Sequence, residues 1–134
     1  MKKLLLILLL VFSQTVYADW KYVISSKDKI SDTYIDSDSI KRDGKYVKVW
    51  IKTEYKEPQK DKWYDFFNTY RSVRSYEEWN CVDRSFTTIS YDVFSKNSLQ
   101  GKIVDSSSIL LPVPTNIAPD STEEILYKII CKKK

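Results

Sequence analysis

The chain has 134 residues, with 22 lysines and arginines against 18 acidic residues, two cysteines and no histidine. A formal charge of +4 is too balanced for a general nucleic-acid binder, whose affinity rests on neutralised phosphates. Without histidine neither a Ser-His-Asp nor a Cys-His constellation can be built, and two cysteines alone are a thin ligand set for zinc.

Residues 1–18 read as a signal peptide. Lys2 and Lys3 form its positive end, Leu4 to Phe12 its apolar run, and Val16-Tyr17-Ala18 its cleavage site. The run falls short of the roughly 18 to 20 apolar residues that a membrane crossing needs. Removing 18 of 134 residues leaves 116, enough for a single domain over 19–134 with one modest core. Its balance is 20 basic against 18 acidic residues, or +2. Ala18-Asp19 offers no cysteine for lipid modification, so the expected product is periplasmic or secreted. Export also brings Cys81 and Cys131 into an oxidising compartment, where they are expected to pair with each other. A redox role would call for a C-x-x-C spacing, which this pair lacks.

Aromatic residues make up 14% of the chain and glycines number only two, which suits long strands. Trp20 to Ser25 predicts a first short strand and Thr33 to Asp36 a second. From Lys45 to Tyr55, Val47, Val49 and Ile51 alternate with Lys48, Trp50 and Lys52, the pattern of a strand with one buried face. Asp43-Gly44 before it is a turn signature, so Ile40 to Arg42 is expected to lead in antiparallel. Pro58 and the charged run KEPQKDK are expected to end that strand. From Arg71, Val73, Trp79 and Cys81 share one face while Arg74, Tyr76 and Glu78 share the other. Asp83 and Arg84 then turn the chain into Ser85 to Phe94, with Ile89, Tyr91 and Val93 on one side. KNSLQG is the next turn and Lys102 to Ser106 a last short strand. The proline-rich ILLPVPTNIAP reads as an extended connector.

Ser121 to Glu124 has the form of a capping box and starts a helix. Ile125, Leu126, Ile129 and Ile130 form a stripe that should lie on the sheet, and Lys132 to Lys134 suit the negative end of the helix dipole. Strands followed by one helix define an α+β fold. At about 100° per residue Cys131 falls nearly opposite that stripe. Unwinding near Ile130 is the expected way for its sulfur to reach the sheet.

The candidate partner-binding residues are aromatic. Trp63, Tyr64, Phe66, Phe67 and Tyr70, rimmed by Lys60, Lys62 and Arg71, have the composition of an interface hot spot, and filling the core is their competing use. Alternation places Trp50 with Lys48 and Lys52 away from Val47 and Val49, where an exposed ring would mark a homodimer or partner surface. No residues are assigned to catalysis, a cofactor or a metal. Glu77 and Glu78 face opposite ways on a strand, Glu124 is explained by capping, and Asp36-Ser37-Asp38 lacks the glycine and closing glutamate of a calcium loop.

The stretches YIDSDSIKRDGKYVKVW, YRSVRSYEEWNC and GKIVDS, with one cysteine in mid-sheet and one ending the helix, resemble the bacterial surface-adhesin protein E family over nearly the whole exported chain. The resemblance implies six antiparallel strands and a C-terminal helix tied by a disulfide to the concave side of the sheet. It also implies protein binding without catalysis, directed at host extracellular-matrix or serum proteins such as vitronectin and laminin. The family's namesake resembles a lipid-anchored protein, and the absence of a cysteine at Ala18-Asp19 departs from it. A periplasmic ligand-binding or envelope-accessory protein without an adhesin role is the alternative.

Overall fold

The computed structural model describes residues 18–60 and 68–132. Eight strands form one antiparallel sheet: β1 (Trp20–Ser25), β2 (Ser31–Asp36), β3 (Lys41–Asp43), β4 (Tyr46–Lys60), β5 (Thr69–Asn80), β6 (Ser85–Lys96), β7 (Gln100–Ser108) and β8 (Thr115–Asn116). The main path runs β1-β2-β4-β5-β6-β7. The two short strands sit off it, β3 extending the β2 side of β4 and β8 pairing with the start of β6. The expected six strands are therefore that main path, and the extra two are fragments of two or three residues. A single helix, α1 (Thr122–Ile130), follows. No helix among the described residues is long and apolar enough to cross a membrane.

The alternation of β4 holds: Val47, Val49 and Ile51 are buried, opposite Trp79, Glu77 and Ser75 of β5. With Ile35, Ile117, Leu126 and Ile130 they make the core between the sheet and α1. Trp79 is completely buried and stacks on Phe86 of β6, ring centroids 4.9 Å apart. The β3–β4 hairpin closes at Gly44-Lys45, where Gly44 supplies a φ of +57°. Gly101 answers a different need, since a Cβ there would lie 2.4 Å from the Ser95 hydroxyl.

Three expectations need correction. Pro58 does not end β4, which continues to Lys60. The β4–β5 register shifts between Glu54 and Gln59, and proline is tolerated in such an irregularity because no ladder donor is asked of it. Ile89 does not share a side with Tyr91 and Val93. A register shift between Tyr76 and Glu77 puts Ile89 beside Thr87 and Glu78, while Tyr91 and Val93 pair with Ser75 and Val73 of the core face.

The third correction concerns the helix. It does not unwind at Ile130, because the amide of Cys131 still donates to the Tyr127 carbonyl at 2.9 Å. Instead α1 is rotated: Leu126 and Ile130 are buried, Tyr127 and Cys131 pack at the core's edge, and Ile125 and Ile129 face outward. This rotation brings Cys131 to Cys81, Cα atoms 5.5 Å apart, and the expected disulfide forms without breaking the helix. Ser121 caps α1 by accepting from the Glu124 amide at 3.2 Å, and the Glu124 carboxylate accepts from the Asp120 amide at 2.9 Å. The last turn is capped from afar, by Arg42 of β3 donating to the Ile130 carbonyl at 2.7 Å.

Candidate functional site

The face of the sheet opposite α1 carries the side chains that the core excludes. On β4 these are Lys48, Trp50 and Lys52, and on β5 Arg74, Tyr76 and Glu78, in direct cross-strand register. Antiparallel pairing sets Trp50 opposite Tyr76, and their rings stack with centroids 4.9 Å apart. The Arg74 guanidinium lies 5.2 Å from the Trp50 ring and 5.7 Å from Phe94, while its Nε donates to Asp92 Oδ2 at 2.7 Å. A hydrogen bond from the Ser106 hydroxyl, and then Arg74, hold the Asp92 carboxyl below its ordinary range. The clamp around Trp50 is therefore charged on both members.

A second clamp lies one strand over. Lys52, almost fully covered, places its ammonium 4.4 Å from Tyr34 and 5.3 Å from Trp20 and pairs with Glu54 at 3.3 Å. Between the two clamps a cleft of about 360 Å³ is lined by Trp20, Asp36, Lys41, Trp50, Arg74 and Tyr76 among others. Its floor is fixed by hydrogen bonds: the Trp50 amide donates to Ser39 Oγ at 2.9 Å, and Ser39 Oγ donates to the Asp36 carbonyl at 2.8 Å. The Asp36 carboxylate accepts from the amides of Asp19 and Asp38, each at 3.1 Å, so the Asp36-Ser37-Asp38 motif is a cap for a short 3₁₀ turn.

The residues singled out from the sequence fall into three groups. Trp50 is half-buried in the cleft just described. Lys60, Tyr70 and Arg71 lie at the far end of β4 and β5, with Tyr70 six residues from Tyr76, roughly 20 Å along the strand. There Tyr70 packs edge-on against Tyr55, and Arg71 donates to the Lys56 carbonyl at 3.3 Å and to Asn97 Oδ1 at 3.4 Å. Arg71 thus helps hold the β6–β7 turn against β4. Lys62, Trp63, Tyr64, Phe66 and Phe67 lie outside the described residues.

Arg74, Tyr76 and Trp20 were not singled out. The signal for the first two was present, since their shared face follows from alternation and an antiparallel β4–β5 pair must set that face beside Trp50. Trp20 depends on where β1 docks, which no local pattern specifies. The cleft offers groups suited to recognition: a held indole, a phenol, carboxylates, the Arg74 guanidinium engaged with Trp50 and Asp92, and the exposed Lys41 ammonium.

One antiparallel sheet, covered on one face by a C-terminal helix that a disulfide ties to the end of β5, defines a small α+β module of the disulfide-bonded kind. The chain belongs to the Surface-adhesin protein E family, whose pattern matches residues 20–132. Among solved structures, crystal form II of Haemophilus influenzae protein E superposes with a TM-score of 0.60 at 23% identity, covering 82% of this chain and 86% of that one. The selenomethionine form of the same protein gives 0.60 at 22% identity, covering 87% and 88%. Protein E from non-typeable Haemophilus influenzae gives 0.53 at 24% identity, covering 88% and 78%. At these identities the likeness establishes a shared fold. No curated protein sequence matches this chain.

Proposed function

We propose that the chain is an exported, non-enzymatic module that binds another protein through the sheet face around Trp50, Arg74 and Tyr76. The observation that carries this reading is the Trp50 clamp. A tryptophan stacked on Tyr76 and braced by Arg74, at the edge of a cleft and still partly exposed, is an anchor whose orientation is set before a partner arrives. The family suggests host extracellular-matrix or serum proteins as partners, and the segment containing Trp63 and Phe67 is the second candidate contact.

The test is binding of the exported chain to immobilised vitronectin and laminin, with Trp50→Ala as the variant. Loss of a hot-spot tryptophan is expected to cost about thirtyfold in affinity, about 2 kcal/mol. Urea unfolding run in parallel separates this from lost stability. Unchanged affinity in a folded Trp50→Ala protein refutes the site. Full protection from protease on intact cells refutes surface binding and favours the periplasmic accessory role instead.

A further inference from the structure

Helix α1 carries a second face that the fold does not use. At about 100° per residue, Leu126, Tyr127 and Ile130 occupy the sector toward the sheet with the C-cap Cys131, and Ile125, Lys128 and Ile129 fall together on the other side, with Lys132 exposed just past the helix end. Ile125 is 37% and Ile129 46% exposed, and Val82, in the loop after β5, is 70% exposed. At the same end of the helix, Val82, Lys45, Lys128 and Lys132 border a cleft of about 480 Å³ over the disulfide. Lys128 and Lys132 reach no carboxylate within ion-pair distance among the described residues. Lys45 pairs with Asp83 at 3.8 Å, largely exposed, and lies over the Tyr46 ring at 5.3 Å. Of the two first-turn acids, Glu123 and Glu124, the second is held by Arg84 at 3.2 Å and by the Asp120 amide, and Lys128 acts on it only as a longer-range attraction. The sequence continues with Lys133 and Lys134.

Isoleucines interleaved with lysines on an exposed helical face match a lipid interface, where aliphatic side chains enter the acyl boundary and ammonium groups stay among the headgroups. An acidic polysaccharide would satisfy the lysines and leave the isoleucines in water. We propose that the outer face of α1, with Val82 and Lys45, docks on an anionic phospholipid bilayer. Because α1 covers one face of the sheet, this would turn the Trp50 face away from the membrane, free for a partner.

The experiment is sedimentation of the chain from Asp19 onward, which carries every described strand and the helix, with vesicles of phosphatidylglycerol and phosphatidylcholine or of phosphatidylcholine alone. Binding is expected on the anionic vesicles only and should weaken steeply with salt, since each lysine at such a surface contributes about fivefold to partitioning. Lys128→Glu combined with Lys132→Glu should lower partitioning more than tenfold. Ile129→Ser should lower it severalfold while leaving the salt dependence unchanged. All three positions are exposed, and the salt dependence of the unsubstituted chain reads the same surface without any variant. The proposal is overturned by no binding to anionic vesicles at low salt, by equal binding to neutral ones, by partitioning that charge reversal leaves unchanged, or by retention on heparin without vesicle binding.

Discussion

Glu77 is a carboxylate in the core, and its replacement by glutamine should change how stability responds to pH. It sits on β5 facing α1, between Val49 and Thr88 of the neighbouring strands, and is 9% exposed. Its oxygens accept from Ser75 Oγ at 2.8 Å and from the Trp79 indole at 3.1 Å, and no cation pairs with it among the described residues. Burial pushes its pKa from 4.5 up to about 7, against the two hydrogen bonds and with a further push from Glu123. Because the folded value lies above the unfolded one, the folded state holds the extra proton between the two, and stability falls as pH rises through that window. The gap, at about 1.4 kcal/mol per pH unit, corresponds to about 3 kcal/mol lost between pH 4.5 and the region above 7. Glutamine keeps the shape and cannot ionise: its carbonyl can accept from Trp79 while its amide donates to Ser75. Glu77→Gln should therefore match the parent protein near pH 4 and exceed its stability by up to about 3 kcal/mol at pH 8. Urea unfolding of oxidised protein followed by tryptophan fluorescence measures both. Parallel pH profiles for the two proteins would refute the reasoning.

Other consequences follow from how the ends of the chain are fastened. Replacing Cys81 and Cys131 by serine opens a link spanning 50 residues and should cost about 2 to 4 kcal/mol, read as a lower urea midpoint; equal midpoints for the oxidised and variant forms would contradict it. Arg42→Ala removes the charge-assisted bond to the Ile130 carbonyl and should cost about 1 kcal/mol, with faster hydrogen exchange in the last turn of α1 and none of that change in β5. Cleavage after Ala18 would turn the Asp19 amide, 3.1 Å from the Asp36 carboxylate, into a free amine. A chain starting at Asp19 should then be more stable than its N-acetylated form by about 1 kcal/mol below the ordinary amine pKa of roughly 7.7 to 8.0, and the difference should fade as pH rises beyond it. A difference independent of pH would count against that ion pair.

Local patterns carried much of this fold. Val47, Val49 and Ile51 disclosed the buried face of β4 because alternation is a property of neighbouring residues, and Ser121 with Glu124 disclosed the start of α1 for the same reason. What escaped depends on partners distant in the chain. The rotation of α1 is set by Cys81, by Arg42 at the Ile130 carbonyl and by the Tyr127 hydroxyl donating to the Cys81 carbonyl at 2.6 Å, contacts reaching from 46 to 88 residues away. Hydrophobicity alone centres the helix on the stripe of Ile125, Leu126, Ile129 and Ile130, and the covalent and polar ties turn it so that only Leu126 and Ile130 stay buried. The passage of β4 through Pro58 was hidden likewise. At that end the strand is secured by Asn97, whose amide donates to Glu54 Oε2 and to the Tyr55 carbonyl, both at 2.9 Å.

At the candidate site the same division explains what was read and what was missed. Trp50 stood out because alternation expels it from the core, but alternation does not say what an expelled tryptophan touches. The face turned away from α1 must stay ordered without a helix packed on it. This protein does so with Arg74 between Trp50 and Asp92, and with Lys52 among Tyr34, Trp20 and Glu54. Such cation–aromatic clamps keep the rings in fixed orientations, with Arg74 still partly in water and Lys52 almost fully covered beside Glu54. The feature that stabilises the uncovered face is then the one that prepares it for a partner. Arg74, which reaches Trp50, Phe94 and Asp92 at once, couples the two roles.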